Sequence, residues 1–179
     1  MGFRMLRTAA ALVTVLLLAG CVPREPVITP EPDPASTPVF ASDEEALAAA
    51  TEAYARYQQI LDSALGTHDG TKIESVAIDP ALANALELVA TYDERGWRQV
   101  GQSSIGSTRL ASSELDQSRV QIYLCHDLEG VGVLDADGES VVSADRPSQT
   151  PSIAMLAWSS ELEQFRVEED EVWTGVNFC

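Results

Sequence analysis

The sequence predicts an α+β fold in which two N-terminal helices pack on a curved, cone-like antiparallel sheet of about six strands. Two observations support this class. Apolar residues recur with helical spacing only between residues 41 and 96, and after Trp97 the period falls towards two, as in half-buried strands. Helices and strands that are segregated along a chain in this way are typical of α+β folds.

The first helix has both a start signal and a stop signal. Ser42, followed three residues later by Glu45, forms a capping box in which each side chain satisfies a free backbone N–H group. Apolar residues then recur at every third or fourth position from Leu47 to Ala64, and Gly66 follows as the residue that ends the helix. The pattern predicts an amphipathic helix of about six turns whose apolar stripe packs on another layer.

The second helix is marked by Asp79 and Pro80, an N-cap residue followed by proline at the first helical position. Gly96 is predicted to end it. Leu82, Leu86 and Val89 are predicted to share one face, with Ala85 and Ala90 beside them.

The clearest strand runs from Arg119 to His126, where successive side chains must point to opposite faces of a sheet. One face is predicted to carry Val120, Ile122, Leu124 and His126, and the other Gln121, Tyr123 and Cys125. Asp135–Gly138 is a hairpin-turn signal. Apolar runs bounded by turn residues predict further strands at Val131–Leu134, Glu139–Val142, Ile153–Trp158, Gln164–Val167 and Val172–Phe178.

The first twenty residues have the order of a bacterial export signal. Arg4 and Arg7 precede the apolar run Ala9–Leu18, which is too short for a membrane-spanning helix of about 20 residues. Two small residues then precede Cys21, and this order resembles a bacterial lipobox. The resemblance implies that residues 1–20 are removed and that the thiol of Cys21 is acylated with more than one chain, as stable anchoring requires. The alternative is an ordinary secretory peptide in which Cys21 is incidental.

Residues 21–40 are predicted to form a tether. Six of the nine prolines lie here, with acidic residues between them. Because proline fixes φ and removes the amide donor, this composition predicts an extended spacer that could reach roughly 60 Å from a bilayer. A proline-rich docking motif is the alternative, but no PxxP sequence with flanking basic residues is present. The globular domain is predicted to comprise residues 41–179.

The charge excludes two classes of partner. The chain has 28 acidic and 11 basic residues and a formal net charge of −17. Affinity for nucleic acid comes mainly from Lys and Arg on phosphates, so we expect no nucleic-acid partner, and for the same reason no electrostatic binding to an anionic bilayer. Contact with the membrane is therefore expected through the lipid on Cys21.

The order of these features resembles that of small actinobacterial envelope lipoproteins. The similarity rests on the lipobox, the acidic proline-rich linker, the two helices, and a sheet that contains Tyr-Leu-Cys-His-Asp at 123–127 and Asn-Phe-Cys at 177–179. It covers residues 41–179 of the globular part, which is similar to the nuclear transport factor 2-like, or cystatin-like, cone fold. That resemblance implies either an isomerase- or cyclase-like enzyme or, as in many members, a non-catalytic binding or accessory domain.

The three cysteines are predicted to divide into one anchor and one disulfide. Lipid on Cys21 leaves Cys125 and Cys179, and exported proteins meet oxidising conditions. We expect a Cys125–Cys179 bond that holds the final strand to a central one. The alternative, a reactive thiol at Cys125 with His126 as its base, is disfavoured because adjacent strand residues point to opposite faces.

A cone fold can hold a pocket without any linear motif. The candidate wall residues are Tyr54, Tyr57, Trp97, His126 and Trp158, and the alternative is that these side chains fill the core. His126 could then be a general base or ligand at the mouth of the cone, or a hydrogen-bonded residue at the rim of the core.

No metal, cofactor or catalytic residue is predicted. His68 and His126 lack the spacing of a zinc site. Asp135–Glu139 lacks the remaining oxygen ligands of a calcium loop, and Glu168–Glu171 reads as a solvated turn. The Gly-x-Ser-x-Gly elbow and the phosphate-binding loop are both absent from the sequence.

The sequence therefore predicts an extracytoplasmic lipoprotein, anchored in the cell membrane, with a non-catalytic binding or accessory domain. One alternative is a small-molecule enzyme or carrier that uses a cavity in the cone. Another is a protein-interaction module whose acidic surface docks on a basic envelope partner.

Overall fold

The computed structural model describes residues 39–115 and 118–179. Within these residues two α-helices precede six β-strands, all strand pairs between named strands are antiparallel, and the sheet does not close into a barrel. The predicted α+β class is confirmed. The predicted signal peptide, Cys21 and the tether as far as residue 38 lie outside the described residues.

Helix α1 (Asp43–Thr67) begins with the predicted capping box. The backbone N–H of Glu45 donates to Ser42 Oγ over 3.3 Å, and the Glu45 carboxylate accepts from the N–H of Ala41 over 3.0 Å. Both side chains thereby satisfy backbone donors that the helix itself cannot. The buried face of α1 comprises Ala46, Ala50, Ala53, Tyr54, Tyr57, Leu61, Asp62, Ala64 and Leu65.

The end of α1 differs from the prediction. The left-handed residue is His68, with φ 60°, and its N–H donates to Ala64 O over 2.7 Å. Gly66 remains inside the helix instead. A Cβ atom there would lie 3.2 Å from the carbonyl oxygen of Gln99, so the glycine permits a close approach of neighbouring backbone.

Helix α2 (Ala81–Arg95) ends at Gly96 in the left-handed conformation, as predicted. Its start was predicted one residue too early. Pro80, not Asp79, occupies the N-cap position, and no side chain caps the helix. The carbonyl of Ile78 accepts from Leu82 N over 3.0 Å, so backbone supplies the bond expected from the Asp79 side chain.

The six strands are divided between two sheets. The four-stranded sheet has the order β2-β3-β5-β6, and β1 and β4 form a separate pair. Helix α1 packs against strands of both sheets and against α2, and α2 also contacts β6. The strands are β1 (Arg98–Val100), β2 (Ser104–Glu114), β3 (Arg119–Asp127), β4 (Gly132–Leu134), β5 (Gln149–Ser159) and β6 (Gln164–Val172).

Two predicted strands do not form, and two strands were missed. Residues 139–142 contribute a single bridge, Leu134–Ser140, although the turn that begins at Asp135 is present. Strand β6 ends at Val172, so Val172–Phe178 is not a strand. The missed strands are β1, which has only three residues, and β2, whose glycine and serine content resembles that of a loop and whose pairing is imposed by β3.

The core lies between α1, α2 and the inner face of the four-stranded sheet. The predicted alternation of β3 is confirmed, because Val120, Ile122 and Leu124 are at most 1% exposed and His126 is 9% exposed. Phe40, at the end of the predicted tether, is also buried and stacks on Phe165 with ring centroids 5.1 Å apart.

The predicted disulfide is present. Cys125 in β3 is bonded to Cys179, with Cα atoms 5.7 Å apart across a sequence separation of 54. Because Cys125 is bonded, it is not a free thiol beside His126. The bond holds the segment after Val172 against the outer face of β3 rather than joining two strands.

Among the described helices, none has the length and apolar character that a bilayer crossing requires.

Candidate functional site

A chain of three hydrogen-bonded side chains lies between α1 and the four-stranded sheet. The hydroxyl of Tyr54 donates to Asp170 Oδ1 over 2.8 Å, and His126 Nε2 lies 2.8 Å from the same hydroxyl oxygen. A tyrosine has one hydroxyl proton, so when Asp170 is ionised His126 Nε2–H is the donor to Tyr54. The ring is then neutral, with its remaining nitrogen Nδ1 free of a proton.

Each member of this chain comes from a different element. Tyr54 is on the buried face of α1, and His126 follows the apolar residues on the inner face of β3. Asp170 belongs to β6 and faces inward because of a bulge. Leu156 pairs with Val167 and Met155 with Glu169, which leaves Glu168 as the extra residue.

The bulge corrects the interpretation of Glu168–Glu171. The segment is part of β6 and not a solvated turn. A single extra residue shifts the alternation by one position, so Asp170 lies opposite the buried Ala154 while Glu169 lies opposite Met155 on the other face. Nothing within the four acidic residues distinguishes Asp170 from its neighbours, so the sequence carried no signal for this site residue.

Burial controls the protonation of the three groups. Desolvation raises the pKa of the Asp170 carboxyl to about 6, an effect that the hydrogen bond from Tyr54 opposes and the charge of Glu171 reinforces. Desolvation also lowers the pKa of His126 to about 4, although the charge of Asp62 raises it. At neutral pH the carboxylate is therefore ionised and the imidazole is neutral.

The two tyrosines beside the chain remain protonated. Burial and the charge of Asp170 raise the pKa of Tyr54 well above its ordinary value, and the same two causes raise the pKa of Tyr57. Their rings lie 5.7 Å apart, and the ring of Tyr54 meets that of His126 edge-on at 5.5 Å. The interior is thus a packed aromatic and polar cluster.

A second buried carboxylate, Asp62, joins α1 to the β1–β2 connection. Its Oδ2 accepts from the backbone N–H of Ser103 over 2.7 Å and from the Ser103 hydroxyl over 2.9 Å. Its Oδ1 accepts from Gln99 over 2.6 Å and from Gln58 over 3.3 Å. The sequence did carry a signal here, because Asp62 lies at helical spacing from Tyr54 on the buried face, where a charged residue is unusual.

The five residues proposed to line one pocket lie in three places. Tyr54, Tyr57 and His126 come together in the interior. Trp97 lies between β1 and α2, where its ring meets that of Tyr92 at 6.0 Å and the Arg95 guanidinium at 4.5 Å.

Trp158 lines a different feature, a surface cleft of 280 Å³. Its ring meets Phe40 at 5.2 Å and Phe165 at 5.5 Å. The cleft also includes the side chain of Arg56, which donates to Gln164 over 2.6 Å. Trp158 therefore closes the end of the core at the start of α1.

The two histidines have separate environments. His68 Nε2 lies 2.6 Å from the carbonyl oxygen of Trp97, and its Nδ1 lies 3.1 Å from Asp93. His126 is hydrogen-bonded to Tyr54 in the interior. In residues 39–115 and 118–179 no three His, Cys, Asp or Glu side chains are grouped so as to hold a metal ion.

The outer face of the four-stranded sheet carries an aromatic cluster that the sequence analysis did not identify. The ring of Tyr123 in β3 meets Trp173 at 5.2 Å and Phe178 at 5.4 Å. The C-terminal segment that supplies these rings is held by the disulfide and by a turn, in which Trp173 Nε1 donates to the carbonyl of Val176 over 3.1 Å. Glycine is needed at 175, since a Cβ atom there would lie 2.5 Å from the indole.

Arg109 of β2 completes this cluster. Its guanidinium lies 4.6 Å from the ring centroid of Phe178 and 5.1 Å from that of Tyr123. The side chain is exposed, and no carboxylate of the described residues lies within ion-pair distance. We call Arg109, Tyr123, Trp173, Val176 and Phe178 the outer-face cluster.

Comparison with known proteins yields a fold likeness alone. No protein-family profile matches the chain, and no curated protein matches it. The intermembrane space region of chloroplast protein ARC6 is 15% identical, with a TM-score of 0.53 over 72% of this chain and 97% of that one. A similar fold therefore exists in a solved protein.

Two actinobacterial proteins are more distant in structure. Aln2 from a Streptomyces species is 14% identical, with a TM-score of 0.46 over 74% of this chain and 92% of that one. A protein from Catenulispora acidiphila in complex with S-DNPA is 14% identical, with a TM-score of 0.46 over 70% of this chain and 90% of that one.

Proposed function

We propose that this protein is a lipid-anchored extracytoplasmic protein of the cell envelope whose α+β domain binds another macromolecule and does not catalyse a reaction. The lipobox-like order before Cys21 supports the anchor. The Cys125–Cys179 disulfide is consistent with an oxidising compartment outside the cytoplasm. We assign the domain to the nuclear transport factor 2-like cone fold from its element order.

The outer-face cluster is the observation that carries the binding function. It joins three aromatic rings and an arginine, the residue types that are enriched where proteins bind one another. Val176 is 88% exposed at its edge. The interior polar groups, by contrast, already have hydrogen-bond partners within the protein. Asp170, Tyr54 and His126 form one hydrogen-bonded chain, and Asp62 accepts four hydrogen bonds.

The anchor is tested by Cys21→Ser. The wild-type chain should label with an alkyne analogue of palmitate and fractionate with the membrane, whereas the variant should do neither. Continued membrane association of the variant would contradict a lipid anchor on Cys21.

Binding is tested by photocrosslinking in intact envelopes. Val176 is replaced by p-benzoylphenylalanine, and Leu88 on α2, which is 40% exposed, is replaced in the same way as the control. We expect a protein adduct from position 176 and none from position 88. The absence of any adduct from position 176, or equal adducts from both positions, would contradict a binding role for this surface.

A small-molecule enzyme or carrier is the second candidate. The chain of Asp170, Tyr54 and His126 favours it, because a carboxyl and an imidazole are both hydrogen-bonded to the Tyr54 hydroxyl. A mass spectrum of the native protein from its own envelope, compared with the denatured spectrum, separates the two. Extra mass that is lost on denaturation would favour a carrier or enzyme, and its absence favours the binding domain.

A further inference from the structure

We infer that the edge of β2 and the cleft beside Arg109 bind an extended polypeptide segment that carries a carboxylate next to an apolar side chain. The inference rests on the proposed binding function and names the class of partner. It combines three features that lie together: a free strand edge, an apolar cleft, and an arginine without a carboxylate.

Strand β2 has a free edge. Among the described strands it pairs with β3 alone and is the first strand of the sheet order. The opposite edge, on β6, is partly covered by the parallel bridge between Ala77 and Val167. An edge strand presents unpaired N–H and C=O groups, and a segment that adds to the edge gains main-chain hydrogen bonds from them.

The bulges of β2 limit where a segment can add. Register shifts occur between Ile105 and Thr108 and between Leu110 and Ser112. The run between them is regular, with Thr108, Arg109 and Leu110 in consecutive pairs with β3. A partner strand is therefore expected to pair over a short stretch centred on Arg109, because bulges interrupt the ladder on either side.

A cleft of 530 Å³ opens beside this stretch. Its walls are mainly apolar and aromatic, and Arg109 is the one charged side chain that lines it. An apolar side chain of a bound segment could be buried there, at about 25 cal/mol for each Å² removed from water. The lining residues are Arg109, Leu110, Ala111, Tyr123, Trp173, Val176 and Phe178.

Arg109 determines the charge of the partner. Its guanidinium contacts the rings of Phe178 and Tyr123, and stacking of this kind uses the plane of the group and leaves its N–H donors free at the edge. A carboxylate matches those donors in charge and geometry. On an added strand, the residue directly opposite Arg109 would have its Cβ about 5 Å from that of Arg109, within reach of a Glu or Asp side chain.

The net charge of −17 does not oppose this assignment. Exposed charges more than about 8–10 Å away are largely screened at physiological ionic strength. Arg109 is the one charged side chain that lines this cleft, whereas Glu169 and Glu171 line a separate cleft that also includes Trp173. The partner is therefore a segment with one carboxylate, which pairs with the single arginine of the cleft, rather than an acidic surface.

The test uses the exported full chain as its Cys21→Ser variant, labelled with 15N. The probe is a nine-residue peptide in which threonine and valine alternate around one central glutamate. We expect saturable amide shifts at Thr108–Ala111 and a shift of the Trp173 indole. Replacing the peptide's glutamate with glutamine should weaken binding by about five- to ten-fold, the effect of one lost charged hydrogen bond.

Variants of the protein provide the matching controls. Arg109→Gln should weaken binding of the glutamate peptide by the same factor and leave that of the glutamine peptide unchanged. Arg109→Lys should recover only part of the loss, because lysine keeps the charge but not the planar fork. Arg98→Gln serves as the control, since Arg98 is an exposed arginine in the other sheet, and it should change nothing.

Four results would overturn the inference. The first is the absence of a saturable shift at millimolar peptide, and the second is equal affinity for both peptides. The third is concentration-dependent broadening of β2 signals without peptide, which would show that a second copy of this chain occupies the edge. The fourth is reproduction of the full shift by acetate or benzoate, which would indicate a small-anion site. If any of these results were obtained, a crosslinked envelope protein at position 176 would still support the proposed function. Conversely, peptide binding as expected without a crosslinked protein at position 176 would contradict the proposed function alone.

Discussion

Tyr54 donates its hydroxyl proton to Asp170 across a sequence separation of 116, and this 2.8 Å bond joins helix α1 to the edge strand β6. The same hydroxyl accepts from His126 on β3 when the carboxylate is ionised. One buried oxygen therefore couples two titratable groups whose pKa values burial shifts in opposite directions. The stability of the fold should depend on pH in a way that either group alone would not produce.

Asp170→Asn should make the protein more sensitive to acid. The raised pKa of Asp170 gives a stability contribution that is present below pH 3.8 and is lost as the pH rises through about 6. Without this carboxyl, the stability that is lost when His126 is protonated at low pH is no longer offset. Between pH 6 and 4 the variant should lose about 1 kcal/mol per pH unit more than wild type, measured by urea unfolding. If the free energy of unfolding of the two proteins changed in parallel with pH, the pKa of the Asp170 carboxyl would not be raised by burial.

His126→Gln should have the opposite effect. The depressed pKa of His126 gives a contribution that is present above pH 6.5 and is lost as the pH falls through about 4. Without the imidazole, protonation of Asp170 dominates, so the variant should gain stability on acidification from pH 6 to 4. A His126 variant whose stability changes with pH in the same way as that of wild type would count against this assignment.

Cys125→Ser and Cys179→Ser should each lower the free energy of unfolding by about 4 kcal/mol, the loop-entropy value for a bridge of this span. The double variant should lose no more than either single variant, because both changes remove the same bond. Each should also change the environment of Trp173, which the bonded segment places on Tyr123. Additive losses would mean that the two cysteines act separately.

Asp62→Ala should destabilise the protein by about 3 kcal/mol, since it leaves the half-buried donors of Ser103 and Gln99 without their acceptor. Asp137→Ala is the matched control, because Asp137 is exposed in the turn after β4, and it should change stability by less than about 0.5 kcal/mol. Equal effects of the two substitutions would show that Asp62 contributes no more than a surface carboxylate.

Features that depend on a few consecutive residues could be predicted from the sequence. Ser42 and Glu45 cap α1, Gly96 ends α2, and the alternation of β3 sets which of its residues are buried. The pairing of Cys125 with Cys179 followed from counting. Local backbone geometry decides these two helix ends and the alternation, so the local pattern is sufficient to determine them. It was not sufficient for the end of α1 at His68 or the start of α2 at Pro80.

Only the tertiary structure decided which of these residues form sites. Asp170 faces Tyr54 because an extra residue in β6 shifts its register against β5, and that shift depends on packing across the sheet. Asp62 finds its partners 37 and 41 residues away, on a connection that α1 alone does not position. Arg109 rests on rings that the disulfide holds in place. The sequence by itself determined the periods of the two helices and of β3, one end of each helix and the cysteine pair, whereas register and long-range contacts, which depend on the whole core, determined the sites.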